Sequence, residues 1–281
     1  MQENAVTQAV QDFYRAMPFN YYSDAGLAVD NVARNPIAAY PDLDALLQDD
    51  AVRTVLELGC GAGWASNSIA HHYGKSVTAV DFTAAALDRA RDVAGRLGVA
   101  DRVRFVESDL FAYQSPAPFD LVASIGVLHH THDCRAAFDH AAQMVAPGGF
   151  LFVGLYHLYG RRPFLELFRG LCAQHGEEAA LERFRAIADT LSDETHIQSW
   201  FRDQVLHPHE TQHTLEEVWQ WLEATGLTLV STSLNTYGDV DDRSGLITLE
   251  KAQEPLSWQR NRDEGRYFPG FFTVLAYRDT A

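Results

Sequence analysis

Three glycines at alternate positions, Gly59, Gly61 and Gly63, follow the apolar run Val55-Leu56-Glu57-Leu58 and precede a helix-forming stretch that opens at Trp64. The run reads as a buried strand. Glycines after it let the backbone turn sharply and offer bare N–H groups to a ligand at the start of the next helix, where a side chain at any of the three would intrude. A dinucleotide fingerprint would put its third glycine at position 64, which is Trp64, so a nicotinamide cofactor is disfavoured. Glu57 suits a ligand carrying an ammonium and would repel a pyrophosphate. Asp81 stands 22 residues beyond Gly59 at the end of a second apolar run, where a carboxylate accepts both hydrogen bonds of a ribose diol. Cys60 serves the loop as a small residue; with Cys134 and Cys172 it is too isolated for a disulfide framework or a Cys-x-x-Cys metal site.

Proton chemistry has candidates downstream. His129-His130-Thr131-His132 follows a further strand, and Tyr156 and His157 end another; both groups are expected to face the cleft. Local packing or cofactor support is the alternative for the histidines. Arg161 and Arg162 read as a clamp for a carboxylate or phosphate, or as solvated side chains. His207-Pro208-His209 and His213 superficially resemble metal ligands, but without an obvious carboxylate at helical spacing they read as a loop packed on the acceptor, and no metal is expected.

These residues need a scaffold to bring them together. Apolar runs at 55–58, 77–81, 103–109, 119–124 and 146–153 alternate with amphipathic helices, of which one starts at Thr83 and ends at Gly98 and another starts at Asp133 and ends at Pro147-Gly148-Gly149. That alternation predicts βαβ units and a parallel sheet. Residues 3–17 carry a helical stripe stopped by Pro18, and 36–50 read as a second short helix. Between 158 and 212 the chain inserts two helices, one with Pro163 in its first turn and one carrying Leu181, Phe184, Ala188 and Leu191. Thr214-Leu215-Glu216-Glu217 has the form of a capping box for the next helix. Strands at 228–233 and 271–277 flank a second insertion, 236–267.

The run Glu57-Leu58-Gly59-Cys60-Gly61-Ala62-Gly63 resembles motif I of the class I S-adenosylmethionine (SAM) dependent methyltransferases, and the four later strands up to residue 153 follow in that family's order. The resemblance implies a Rossmann-like α/β fold with a seven-stranded, mostly parallel sheet whose last strand is antiparallel, plus helical insertions forming a cap. It divides the chain into N-terminal helices (1–50) acting as a lid, a SAM-binding core (51–157), the insertion (158–212) as acceptor cap or dimer interface, and the rest of the core (213–281). It also implies SAM as cofactor and S-adenosylhomocysteine as product, with Asp81 on the ribose, Phe82 flat against the adenine, Asp109 beside Leu110 on the adenine amino group, and Ser124 along the methionine part. A turn cap is the alternative for Asp109.

Ser124-Ile125-Gly126-Val127 is not the Asn-Pro-Pro-Tyr type of tetrad used on planar nitrogens, and neither the fourth nor the fifth strand carries a cysteine nucleophile. The aromatic insertion, with Tyr14, Tyr21, Tyr22, Tyr156, Arg161 and Trp200, predicts a closed pocket for a small organic acceptor methylated on oxygen or nitrogen, with His129 or His130, Tyr156 and His157 nearest the methyl group. The rivals are a tRNA-modifying transferase and a non-catalytic SAM-binding partner protein. A net charge of −16 opposes a nucleic-acid footprint. With neither a secretory signal nor an apolar stretch long enough for a membrane span, the expected location is cytoplasmic, with no membrane contact and a homodimer as the open alternative.

Overall fold

The structure is a computed structural model that describes residues 2–188, 190, 191 and 193–280, with side chains from residue 5 onward. Its centre is a seven-stranded sheet built from β1 (Thr54–Leu58), β2 (Ser76–Asp81), β3 (Val103–Glu107), β4 (Phe119–Ile125), β5 (Val145–Tyr156), β6 (Leu227–Thr232) and β7 (Phe271–Arg278). The order is β3-β2-β1-β4-β5-β7-β6, and β7 alone runs antiparallel to its neighbours. Consecutive strand residues face opposite sides, so Leu56 and Leu58 enter one core layer while Val55 enters the other.

Helices cover both faces. On one, α3 (Pro41–Gln48), α4 (Trp64–Tyr73) and α5 (Ala84–Leu97) bury Leu43, Ile69 and Leu87. On the other, α6 (Cys134–Gln143) and α9 (Leu215–Thr225) bury Phe138 and Leu222. The remaining helices are α1 (Gln2–Ala16), α2 (Ala25–Ala33), α7 (Leu158–Ile187), α8 (Glu194–Leu206), α10 (Arg243–Lys251) and α11 (Gln253–Trp258). The expected sheet and its antiparallel last strand are both present.

Several local expectations change. The helix expected over 36–50 is a 3₁₀ turn (Pro36–Ala39) followed by α3, and α2 precedes it, capped by the Asp24 side chain. Thr83 occupies the N-cap of α5 without a side-chain capping bond, whereas Asp133 and the Thr214–Glu217 capping box both form. Helix α6 ends at Gln143, and Pro147-Gly148-Gly149 lies inside β5. The first insertion is α7, whose helix breaks at Gly176 (φ +84°), then α8, which carries the second half of the cap's apolar face. It leaves and re-enters the core at one place, since His157 and His213 form a parallel bridge. A long excursion is therefore accommodated without disturbing the sheet.

Candidate functional site

The strand order reverses between β1 and β4, and the carboxyl ends of β1 to β4 open one pocket there, as expected for open α/β sheets. Its floor is Gly59, Cys60 and Gly61; Asp81 and Phe82 come from the end of β2, Asp109 and Leu110 from beyond β3, and Ile125, Gly126 and Val127 from β4. Its roof comes from α1 and the turn after it: Thr7, Val10, Gln11, Tyr14, Pro18, Phe19 and Asn20. His130, Thr131 and His132 close the far end.

The three loop glycines have separate reasons. Gly61 adopts φ +51°, and a Cβ there would meet nothing within 4 Å, so its bare backbone borders open space that a ligand can fill. A Cβ on Gly63 would come within 2.7 Å of the Ala90 Cβ, so that glycine serves helix packing and does not line the pocket. Gly59 is kept bare by the Val127 side chain, 2.5 Å from where its Cβ would be.

Asp81 is almost wholly buried and braces the loop, accepting from Gly61 N–H and Thr83 N–H at 2.8 Å each. Burial raises its pKa. Each carboxylate oxygen keeps a lone pair for a diol. Asp109 accepts from Phe111 N–H through Oδ1 at 2.8 Å, the turn-capping bond, which leaves Oδ2 for a ligand amine. These donors and acceptors, with the Phe82 ring, fit an adenosine.

Besides Gly63, two expected cofactor residues lie outside the pocket. Glu57 is buried under the loop, hydrogen-bonded by Ser66, and burial pushes its carboxyl up to about 7. It does not reach the pocket. Ser124 donates to the Leu58 carbonyl at 3.0 Å across the sheet, so its side chain also faces away.

At the acceptor end only His130 and Tyr14 of the expected side chains line the pocket. His129 is fully buried behind it, accepting from Tyr156 N–H at 3.3 Å, and burial holds its pKa well below the ordinary value. His157 points to the opposite face from Tyr156, as successive strand residues must, and pairs with Glu250 at 3.2 Å. The Arg161 guanidinium is fully buried and bidentate to Glu210 (3.0 and 2.7 Å), and lies 3.7 Å over the Tyr156 ring. It pins α7 to the loop after α8 and has no free fork for a substrate. Tyr21 accepts from Arg89, Tyr22 stacks on His196 at 3.9 Å, and Trp200 donates to Asn20. Those three fix the turn after α1 without entering the pocket.

The insertion therefore supports the roof and does not form it. Its clearest contribution went unread in the sequence: Asp203, four residues before His207, is the carboxylate at helical spacing. Asp203 accepts from Tyr14 at 2.7 Å, Tyr156 at 3.3 Å and Gln204 at 3.0 Å, while the His130 and His207 ring centroids lie 3.8 Å apart with the planes tilted by 35°. His209 and Thr211 then tie this loop to Thr131 and His129.

Residues 55–149 match the family model described as "Methyltransferase domain". An uncharacterized protein of Synechococcus sp. is 29% identical over 92% of this chain and 68% of its own length. A ubiquinone biosynthesis O-methyltransferase of Xylella fastidiosa is 40% identical, but over 35% of this chain and 40% of its own. Among solved structures, PKMT2 from Rickettsia typhi superposes with a TM-score of 0.60 at 14% identity, over 82% of this chain and 49% of that one. Magnesium protoporphyrin IX methyltransferase from Synechocystis PCC 6803 with bound S-adenosylhomocysteine gives 0.52 at 14% identity, over 89% and 84%.

Proposed function

From the premise that residues 55–149 form a class I SAM-dependent methyltransferase domain, we propose that the whole chain transfers a methyl group to a small organic acceptor, on oxygen in preference to nitrogen. The observation that carries this reading is the roof: residues from Thr7 to Asn20 cross the same pocket that the glycine loop floors. A polymer would need an open groove, and a surface of charge −16 repels phosphate backbones. Oxygen is favoured by the Xylella fastidiosa relative, which is named an O-methyltransferase. A cytoplasmic location belongs to the same proposal.

SAM supplies an activated methyl group on a positively charged sulfur. The chain's own work is alignment and exclusion of water: Asp81, Asp109 and Phe82 fix one end, and Tyr14, Phe19 and His130 enclose the other. An acceptor hydroxyl must also lose its proton, and the basic side chain bordering the pocket near it is His130, against which His207 packs.

The test is to incubate the protein with methyl-labelled SAM and, separately, a metabolite extract, total RNA and total protein. Label should enter the small-molecule fraction, and Phe19→Ala should lower that turnover while the affinity for S-adenosylhomocysteine stays the same. Label confined to RNA or protein overturns the acceptor class, and binding without transfer to any fraction favours the non-catalytic reading.

A further inference from the structure

His130, Asp203 and His207 come from three different places in the chain, the turn after β4, the last turn of α8 and the loop beyond it, and all three are buried. One ligating atom from each lies within 4.8 Å of the other two. The Nε2 atoms of both histidines are buried without a hydrogen-bond partner. A buried imidazole nitrogen left unpaired is costly, and two beside one carboxylate call for an explanation.

Nothing charged among the described partners compensates Asp203. Tyr14, Tyr156 and Gln204 are neutral, and the nearby Arg161 is already matched by Glu210. The cluster thus brings one carboxyl group and two imidazoles together. His130 is in the tautomer a cation needs: its Nδ1–H donates to the His209 carbonyl at 3.0 Å, which leaves the Nε2 lone pair free. His207 accepts at Nδ1 from His209 N–H at 3.1 Å, so ligation through its Nε2 moves the ring proton to Nδ1 and gives up that bond.

The geometry points to a divalent transition-metal site formed by His130, His207 and Asp203, at the acceptor end of the pocket. Two imidazoles and one carboxylate suit Zn²⁺, Co²⁺, Mn²⁺ or Fe²⁺ far better than Mg²⁺ or Ca²⁺, which prefer oxygen ligands. Bonds of about 2.0–2.2 Å would draw the three atoms closer than they now stand. Tyr14 on Oδ1 and Tyr156 and Gln204 on Oδ2 orient the carboxylate, as outer-sphere partners do. Three protein ligands would leave a coordination position open, and because His130 and Tyr14 line the pocket, the ion would lie where it can hold and polarise an acceptor oxygen. With the ion in place His130 Nε2 is a ligand; without it, the same atom is the general base. The two roles exclude one another, and both rest on the oxygen acceptor of the proposed function, whereas the metal titration below does not.

The deciding experiment is to strip the purified full-length protein with a chelator and titrate it with Co²⁺ and, in parallel, Zn²⁺. Wild type should bind one equivalent of either, with a visible Co²⁺ absorption band, and Zn X-ray absorption should read two imidazoles with oxygen ligands and no sulfur. His207→Ala and Asp203→Asn should weaken binding at least tenfold, while replacing the exposed His71 and His175 with Ala leaves it unchanged. Wild type without a saturable one-to-one site, sulfur or all-oxygen ligation, or equal binding in the two cluster variants would each overturn the site. Should a cluster variant fail to fold, the wild-type titration and its absorption spectrum decide alone.

Discussion

Glu57 shows how a residue two positions from a cofactor loop can belong to the core. Its carboxyl is buried and pushed from 4.5 up to about 7, chiefly by desolvation, so the folded state holds the proton more tightly than the unfolded chain does. Folding stability contributed here is present at low pH and declines as pH rises through the window from about 4.5 to about 7. Glu57→Gln removes the titration and keeps the size. Denaturant unfolding without cofactor should therefore show the variant gaining on wild type by on the order of 3 kcal/mol between the two ends of that window. A stability difference that is the same at pH 5 and pH 8 would contradict the burial argument. At the same scale, the alternation of strand residues explains why Ser124 faces away from the pocket that Ile125 lines and why His157 faces away from Tyr156, which is itself taken up by Arg161 and Asp203.

Helix α1 is the element on which the acceptor site depends. It is held at a few points, Thr7 against His132 at 3.2 Å and Tyr14 on Asp203, with the turn beyond it anchored by Tyr21 N–H on Ser199. Phe13 adds ring contacts with His207 and Arg202, and a helix held by side-chain contacts at one end of the sheet gains further order from a ligand beneath it. Amide exchange over residues 5–20 should slow when S-adenosylhomocysteine is added and slow further with an acceptor; equal protection in all states would make the segment plain scaffold. The strands and the starts of α4, α5, α6 and α9 were legible in the sequence because they are set by local pattern: apolar runs, the glycine loop, and caps such as Asp133 and Thr214. The roof was not. Which side chains meet over the pocket depends on contacts across large sequence separations, such as Tyr14 with Asp203 or Arg161 with Glu210. The Asp203–His207 spacing was the one local signal available, and it lay at the end of a helix that the apolar pattern had not revealed.

At the scale of the whole molecule, the cap is a third apolar layer. Phe164, Phe168, Phe184 and Phe201 of α7 and α8 pack on one another and are buried there, so these aromatics are used inside the chain. Among the described residues the exposed large apolar side chains, Leu27, Val230 and Leu249, are isolated. No helix of the described residues is long and apolar enough to cross a membrane. The sheet gathers the cofactor residues, the cap braces α1 through Asp203, and α1 covers the pocket, so the account stands or falls on what occupies that pocket. The most direct measurement is calorimetric titration of S-adenosylhomocysteine into wild type and Asp81→Ala. Wild type should bind one equivalent, and the variant should lose about 1.5 to 3 kcal/mol, a ten- to hundred-fold drop or more, as expected for hydrogen bonds to a charged group. Equal affinity in the two proteins would contradict the placement of the cofactor, and no binding to folded wild type would contradict the account as a whole.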